Sequence, residues 1–135
     1  MITVKTTVTA SLEKAWDFWT NPEHLTKWNN ASDDWHCPKA TNDLKIDGKF
    51  NFTMAAKDNS MSFDFEGIYT NIIEFKLIEY TIIDGRKVKM SFEETQNGIE
   101  ITESFDPENV NPEELQRQGW QSIIDNFKKH AEQWH

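Results

Sequence analysis

Cys37 is the only cysteine in the chain, which rules out an internal disulfide and suits a reducing compartment. Positive charge is also scarce. Fourteen Lys and Arg stand against 23 Asp and Glu, for a net charge of −9. An acidic surface repels phosphate backbones and anionic lipid, so the charge disfavours nucleic-acid partners and docking on a membrane. No stretch approaches the roughly 20 apolar residues that a membrane-spanning helix needs. The opening Met1-Ile2-Thr3-Val4-Lys5 has neither the positive start nor the apolar run of a signal peptide. A cytoplasmic protein without membrane insertion is the expectation. Repeats, linkers and low-complexity tracts are missing too, so residues 1–135 read as a single domain.

What the chain does have is aromatic side chains: six Trp, nine Phe and two Tyr. Each covers a large area, so a few can build a core or line a pocket. Ile2, Val4, Thr6 and Val8 alternate as in a strand. Ser11 and then Asn21-Pro22-Glu23 carry the marks of two helix starts, the second helix presenting Leu25 and Trp28. Asn29 to Asp43 has no clear period and reads as a long loop, a place where function often sits. From Leu44 to Phe105 the pattern is nearly all strand. Phe50, Phe52 and Met54 alternate, as do Phe63, Phe65, Gly67 and Tyr69, then Val88, Met90 and Phe92. Asp58-Asn59, Asp84-Gly85 and Asn97-Gly98 mark turns, so successive strands pair antiparallel. Asn111-Pro112-Glu113 starts a last helix running to about Gln133. Leu115, Trp120, Ile123, Ile124, Phe127, Ala131 and Trp134 form its apolar stripe. The class is α+β: a curved antiparallel sheet closed by a long C-terminal helix, with two short helices after the first strand.

Several segments carry a family resemblance. They are Thr9 to Trp16, at the first strand-to-helix junction; Asn21 to Trp28, with its Asn-Pro…Leu…Trp pattern; Asp43 to Phe50; Phe65 to Tyr69; and Gly119 to Ile123 with Phe127, a Gly-Trp helix opening. In order and spacing the chain resembles the START-like (SRPBCC, helix-grip) superfamily. It resembles more closely the AHSA-type branch, related to the C-terminal domain of the heat-shock protein 90 ATPase activator. Asp47 stands where many members have Gly, and Asn97-Gly98-Ile99 replaces a common Gly-Gly-Thr hairpin. The resemblance implies a helix-grip, Bet v-like fold with an apolar cavity between sheet and helix. It implies no single activity, because the superfamily includes binders, enzymes and chaperone activators.

Candidate lining residues for that cavity are Trp28, Trp35, Phe50, Phe52, Phe63, Phe65 and Tyr80, then Met90, Phe92 and Glu103 from the later strands, and Arg117, Trp120, Ile124 and Phe127 from the last helix. Packed core is the competing reading for the aromatics. Glu103 lies in phase with Ile99, Ile101 and Phe105; pointing inward, it needs a cation, and Arg117 on the facing helix is the candidate. Asp33-Asp34-Trp35-His36-Cys37 holds ligand types for a metal but lacks the spaced pairs of a metal site, and Cys37 has no arranged base to make it a nucleophile. No catalytic residue, metal or cofactor is assigned. The expected function is non-enzymatic binding of a small hydrophobic or amphipathic ligand, by a monomer or homodimer. The alternatives are a co-chaperone-like module with a chaperone or other protein partner, and an enzyme using the Glu103–Arg117 pair.

Overall fold

A computed structural model describes Met1 to Gln133, so Trp134, expected to end the last stripe, lies outside the described residues. The elements in chain order are β1 (Ile2–Val8), α1 (Leu12–Thr20), α2 (Pro22–Trp28), β2 (Trp35–Asn42), β3 (Lys49–Ala56), β4 (Ser62–Ile73), β5 (Leu77–Ile82), β6 (Lys87–Thr95), β7 (Gly98–Phe105) and α3 (Glu113–Gln133). The strands form one antiparallel sheet in the order β1-β7-β6-β5-β4-β3-β2. Strands β1 and β2, consecutive along the chain, therefore lie at opposite edges. Six steps of about 4.8 Å would separate those edges by about 29 Å if the sheet were flat. Helices α1 and α2 bridge them, α2 against β2 and α1 against β6, and the sheet curls around α3.

The caps that start these helices are local. Ser11 Oγ accepts from the Lys14 N–H at 3.2 Å. Asn21 serves two helices: its N–H donates to Asp17 O at 2.8 Å, ending α1, and its side-chain oxygen accepts from the Glu23 N–H at 3.0 Å, starting α2. The buried Trp28 indole donates to Phe18 O at 2.9 Å and locks α2 onto α1. His24 Nδ1 stands 2.9 Å from His130 Nε2, joining α2 to α3.

Alternation places the aromatics. Register pairs Phe50 with Gly67, Phe52 with Phe65, Met54 with Phe63 and Tyr69 with Tyr80. All of these therefore share the concave face. A shift of register between Tyr69 and Asn71 marks a bulge in the 12-residue strand β4, a device that bends and twists a sheet.

Strand β2 corrects the expectation of a long loop over residues 29–43. It escapes pattern reading because it is an edge strand paired only with β3, mostly polar, and broken between His36 and Lys39. Pro38 sits in that irregularity, where a missing N–H costs nothing to the ladder. Asn97-Gly98 does lie at a hairpin, but Gly98 already pairs with Thr95, so Gln96 and Asn97 form the connection. Asp47, in place of a common glycine, holds a left-handed φ of 68°. Phe75, also at φ 68°, closes the β4–β5 turn with its ring 5.9 Å from Trp16.

Helix α3 is fastened to the free edge of β1. Arg117 Nη1 donates to Thr3 O at 2.9 Å, Gln121 Nε2 to Lys5 O at 3.1 Å and Lys128 Nζ to Thr7 O at 2.5 Å. Alternate carbonyls of an edge strand point away from its only partner, and here helix side chains satisfy them. Glu132 accepts from the Thr9 N–H and hydroxyl, each at 3.0 Å. The inward face of α3 comprises Gln116, Trp120, Ile123, Ile124, Phe127 and Ala131. Leu115 was expected there but is exposed, because one residue of helix is a rotation of about 100°.

Two glycines separate close approach from open space. A Cβ on Gly67 would lie 2.6 Å from the Phe50 ring and 2.7 Å from Thr81 O, whereas one on Gly119 would meet nothing within 4 Å. Gly67→Ala is expected to destabilise by about 1–3 kcal/mol, as overpacked sites do. Gly119→Ala should stabilise by about 0.5–1 kcal/mol, since it removes only chain flexibility from a helix. Urea denaturation followed by tryptophan fluorescence checks both signs.

Candidate functional site

The interior between sheet and helices divides into a filled half and an open half. In the filled half Trp16 lies tilted against Phe92 at 5.2 Å, and Trp19 packs 4.8 Å from Phe127, itself 5.0 Å from Trp28. Met90, Phe92, Ile124 and Phe127 are buried in this core. Their large side chains pack on one another, so these four expected lining positions lie in the core beside the cavity.

The open half is a cavity of about 350 Å³ under β3, β4 and β5, bounded by the sheet, the N-terminal half of α3 and the ends of α1 and α2 at Trp19, Thr20, Leu25, Trp28 and Asn29. That volume lies within the range of small-molecule sites. Of the expected residues, Trp28, Phe50, Phe52, Phe63, Phe65, Tyr80, Glu103 and Trp120 line it. Phe50 is the hub of the aromatic wall, 4.9 Å from both Phe52 and Tyr80 and 5.2 Å from Tyr69. Trp120 lies flat on Phe105, centroids 3.9 Å apart and planes 9° apart, and turns its edge to Phe65 at 6.2 Å. This stack seats the start of α3 on β7 and makes one wall of the cavity with the same ring. Phe63 is half exposed. Trp35 stands outside the cavity, its ring 5.8 Å from that of Phe63.

Polar groups enter from several elements. The Tyr69 hydroxyl donates to Asn42 Oδ1 at 2.5 Å, and Asn42 Nδ2 donates to Thr20 O at 2.7 Å, tying β4 to β2 and α1. Burial holds the Tyr69 and Tyr80 hydroxyls well above their ordinary pKa, so both stay neutral. Gln116 is buried and bonded three times: its Nε2 donates to Asn111 O at 2.8 Å and Glu108 O at 3.3 Å, and its Oε1 accepts from the Glu108 N–H at 2.9 Å. Arg86 reaches the cavity from the β5–β6 turn, with its Nε donating to Asp84 Oδ2 at 2.8 Å.

Glu103 is the chemical exception. Val4 and Met90 flank it across the ladder, both buried, and its own exposure is 4%. Its side chain faces the cavity. The expected partner does not reach it: Arg117 donates to Thr3 O and stands 3.7 Å from Glu114, on the outer side of α3. The Glu103–Arg117 pair nominated for catalysis is therefore not formed. No hydrogen bond or ion pair to the Glu103 carboxyl exists among the described residues. Burial alone raises its pKa from 4.5 to about 8.

Gln116, Arg86, Glu108, Asn111, Met54, Ile78 and Ile123, with Tyr69 from β4 and Trp19, Thr20, Leu25 and Asn29 from α1 and α2, also line the cavity but were not among the expected lining residues. Gln116 did leave a signal, lying four residues before Trp120 and eight before Ile124 on the buried face. Arg86, Glu108 and Asn111 sit in connections, where no period points. Cys37 is buried, its Sγ donating to Lys39 O at 3.4 Å, and burial pushes its thiol pKa up, away from the thiolate a nucleophile requires. Among the described residues no three His, Cys, Asp or Glu gather closely enough to hold a metal ion. No helix among them is long and apolar enough to cross a membrane.

Residues 9–132 match the family model described as "Activator of Hsp90 ATPase homolog 1-like protein". The solution structure of an AHSA1-like protein from Aeromonas hydrophila superposes with a TM-score of 0.92 at 36% identity, covering 98% of this chain and 92% of that one. A solution structure from Cytophaga hutchinsonii is 55% identical with a TM-score of 0.84, at 98% and 92% coverage. A Chromobacterium violaceum crystal structure shares the fold at 18% identity, TM-score 0.85, over 95% and 94% of the two chains. None of the curated protein sequences compared is significantly similar.

The raised pKa of Glu103 has a consequence for stability. The unfolded chain gives up this proton near the ordinary 4.5, while the folded chain keeps it to about 8. The folded state thus binds the extra proton between these values, and stability falls as pH rises through that window. Glu103→Gln removes the titration. It should match the wild type near pH 5 and exceed it near pH 8 by on the order of 3 kcal/mol. Denaturation midpoints of the two proteins across that range check this; a constant difference would contradict it.

Proposed function

This chain belongs to the family of activator of Hsp90 ATPase homolog 1-like proteins, and on that premise we propose a non-enzymatic binding module that takes a small hydrophobic or amphipathic molecule between the sheet and α3. The observation that carries the reading is the cavity of about 350 Å³, walled by Phe50, Phe52, Phe65, Tyr80 and Trp120. Apolar walls supply affinity through area removed from water, and a small number of polar groups fix orientation. The unformed Glu103–Arg117 pair weakens the enzyme alternative. The lone cysteine is consistent with a cytoplasmic setting.

Family membership supports a second reading, a co-chaperone-like module whose partner is a chaperone ATPase. Stimulation of that ATPase by the purified protein would favour it, and a rate unchanged at saturating protein would remove it.

The cavity reading is tested by filling the cavity. Wild-type protein is expected to bind Nile red with a blue-shifted emission. Ile123→Trp, which places an indole in the space, should weaken that binding at least roughly tenfold while the fold persists. Equal binding by the variant, or no binding by the wild type, would contradict the reading. Circular dichroism establishes that the variant is folded.

A further inference from the structure

Three polar side chains are buried among the described residues: His24, Gln116 and Glu103. His24 meets His130, and Gln116 makes three hydrogen bonds. Glu103 alone faces an open space with nothing bonded to its carboxyl. A buried polar group without a partner destabilises the fold that contains it. A ligand that brings the missing partner would relieve that cost on binding.

The surroundings select the kind of partner. From β1 and β6 the residues opposite Glu103 are Val4 and Met90, and from α3 the cavity receives Gln116 and Trp120. None of these carries charge. Tyr80 and Tyr69 are held neutral, and Arg86, the one cationic residue of the lining, has its Nε on Asp84. Glu108, the other acid of the lining, is bonded to Asn111. Among the described residues no cation is thus paired with Glu103. Aromatic faces attract cations, and a net charge of −9 draws cations in and repels carboxylates. A hydroxyl or carbonyl would satisfy one hydrogen bond only, whereas an ammonium supplies both hydrogen bond and countercharge.

We propose that the cavity selects apolar molecules carrying a basic amine, the ammonium pairing with the Glu103 carboxylate while the apolar body lies against Phe50, Phe65 and Trp120. The proposal rests on the cavity being the ligand site. At neutral pH the free protein holds a proton on Glu103, so binding an ammonium releases it to solvent. Affinity therefore rises with pH, roughly tenfold per unit, until Glu103 is ionised near pH 8.

The test compares octylamine, 1-octanol and octanoate, three molecules with one apolar body and different heads, by isothermal titration calorimetry at pH 6, 7 and 8. Octylamine is expected to bind at least about tenfold tighter than either of the others at pH 8, releasing a proton at pH 7. Glu103→Gln and Glu103→Met should each abolish the preference and the pH dependence. Octanol or octanoate binding as tightly as octylamine would overturn the amine proposal and leave the cavity reading standing. So would a preference for octylamine that survives in a folded variant. Failure of all three ligands overturns the proposal, and failure of Nile red as well takes the cavity reading with it.

Discussion

Three hydrogen bonds from Arg117, Gln121 and Lys128 to alternate carbonyls of β1 decide where the closing helix lies. They hold α3 to one edge of a seven-stranded sheet, and the Trp120–Phe105 stack seats its first turns on the neighbouring strand. One helix is about 10 Å across, much narrower than the curled sheet. Fastened at β1 and β7, it leaves the concave face of β3, β4 and β5 uncovered. At its C-terminal half, α1 and α2 bring Trp16, Trp19 and Trp28 against Phe92 and Phe127, and Trp19 and Trp28 also form the near wall of the cavity. At its N-terminal half α1 and α2 reach only one side of the space, and the cavity remains. The same contacts also cover an edge that would otherwise offer unpaired carbonyls to another strand.

Glu103 gives that cavity its chemical character. Its neighbours along the strand, Ile101 and Phe105, are fully buried apolar residues, and an apolar side chain at position 103 would complete the pattern. The carboxyl instead occupies a place where its charged form is disfavoured by burial and no partner restores it. Stability and ligand preference then depend on one proton. A fold that tolerates this group when empty gains most from a ligand that supplies a charge, which links the pH dependence of folding to that of binding.

Most of the scaffold was legible in residue order. Strict alternation in β1, β3, β4, β6 and β7 survives because each presents one face to the interior, and the Ser11 and Asn21 caps act within three residues of themselves. Strand β2 was not legible, since an edge strand broken at Pro38 has neither alternation nor a full ladder. Helical phase explains the exchange of Leu115 for Gln116 on the buried face. The inward direction of Glu103 followed from phase, but its lack of a partner did not. Whether Arg117 turns toward the cavity or over the edge of β1 depends on carbonyls more than a hundred residues away. Equally, alternation identifies Met90 and Phe92 as inward-facing but cannot say that the aromatics of α1 and α2 close the space beside them.

The most direct test of this account is the titration of the Glu103 side chain itself, followed through its carboxyl carbon by NMR of labelled protein between pH 4 and 9. An unpartnered acid facing an apolar cavity predicts a midpoint near 8. A midpoint near the ordinary 4.5 would mean that water or a cation already reaches the carboxyl, and would contradict the arrangement on which the account depends.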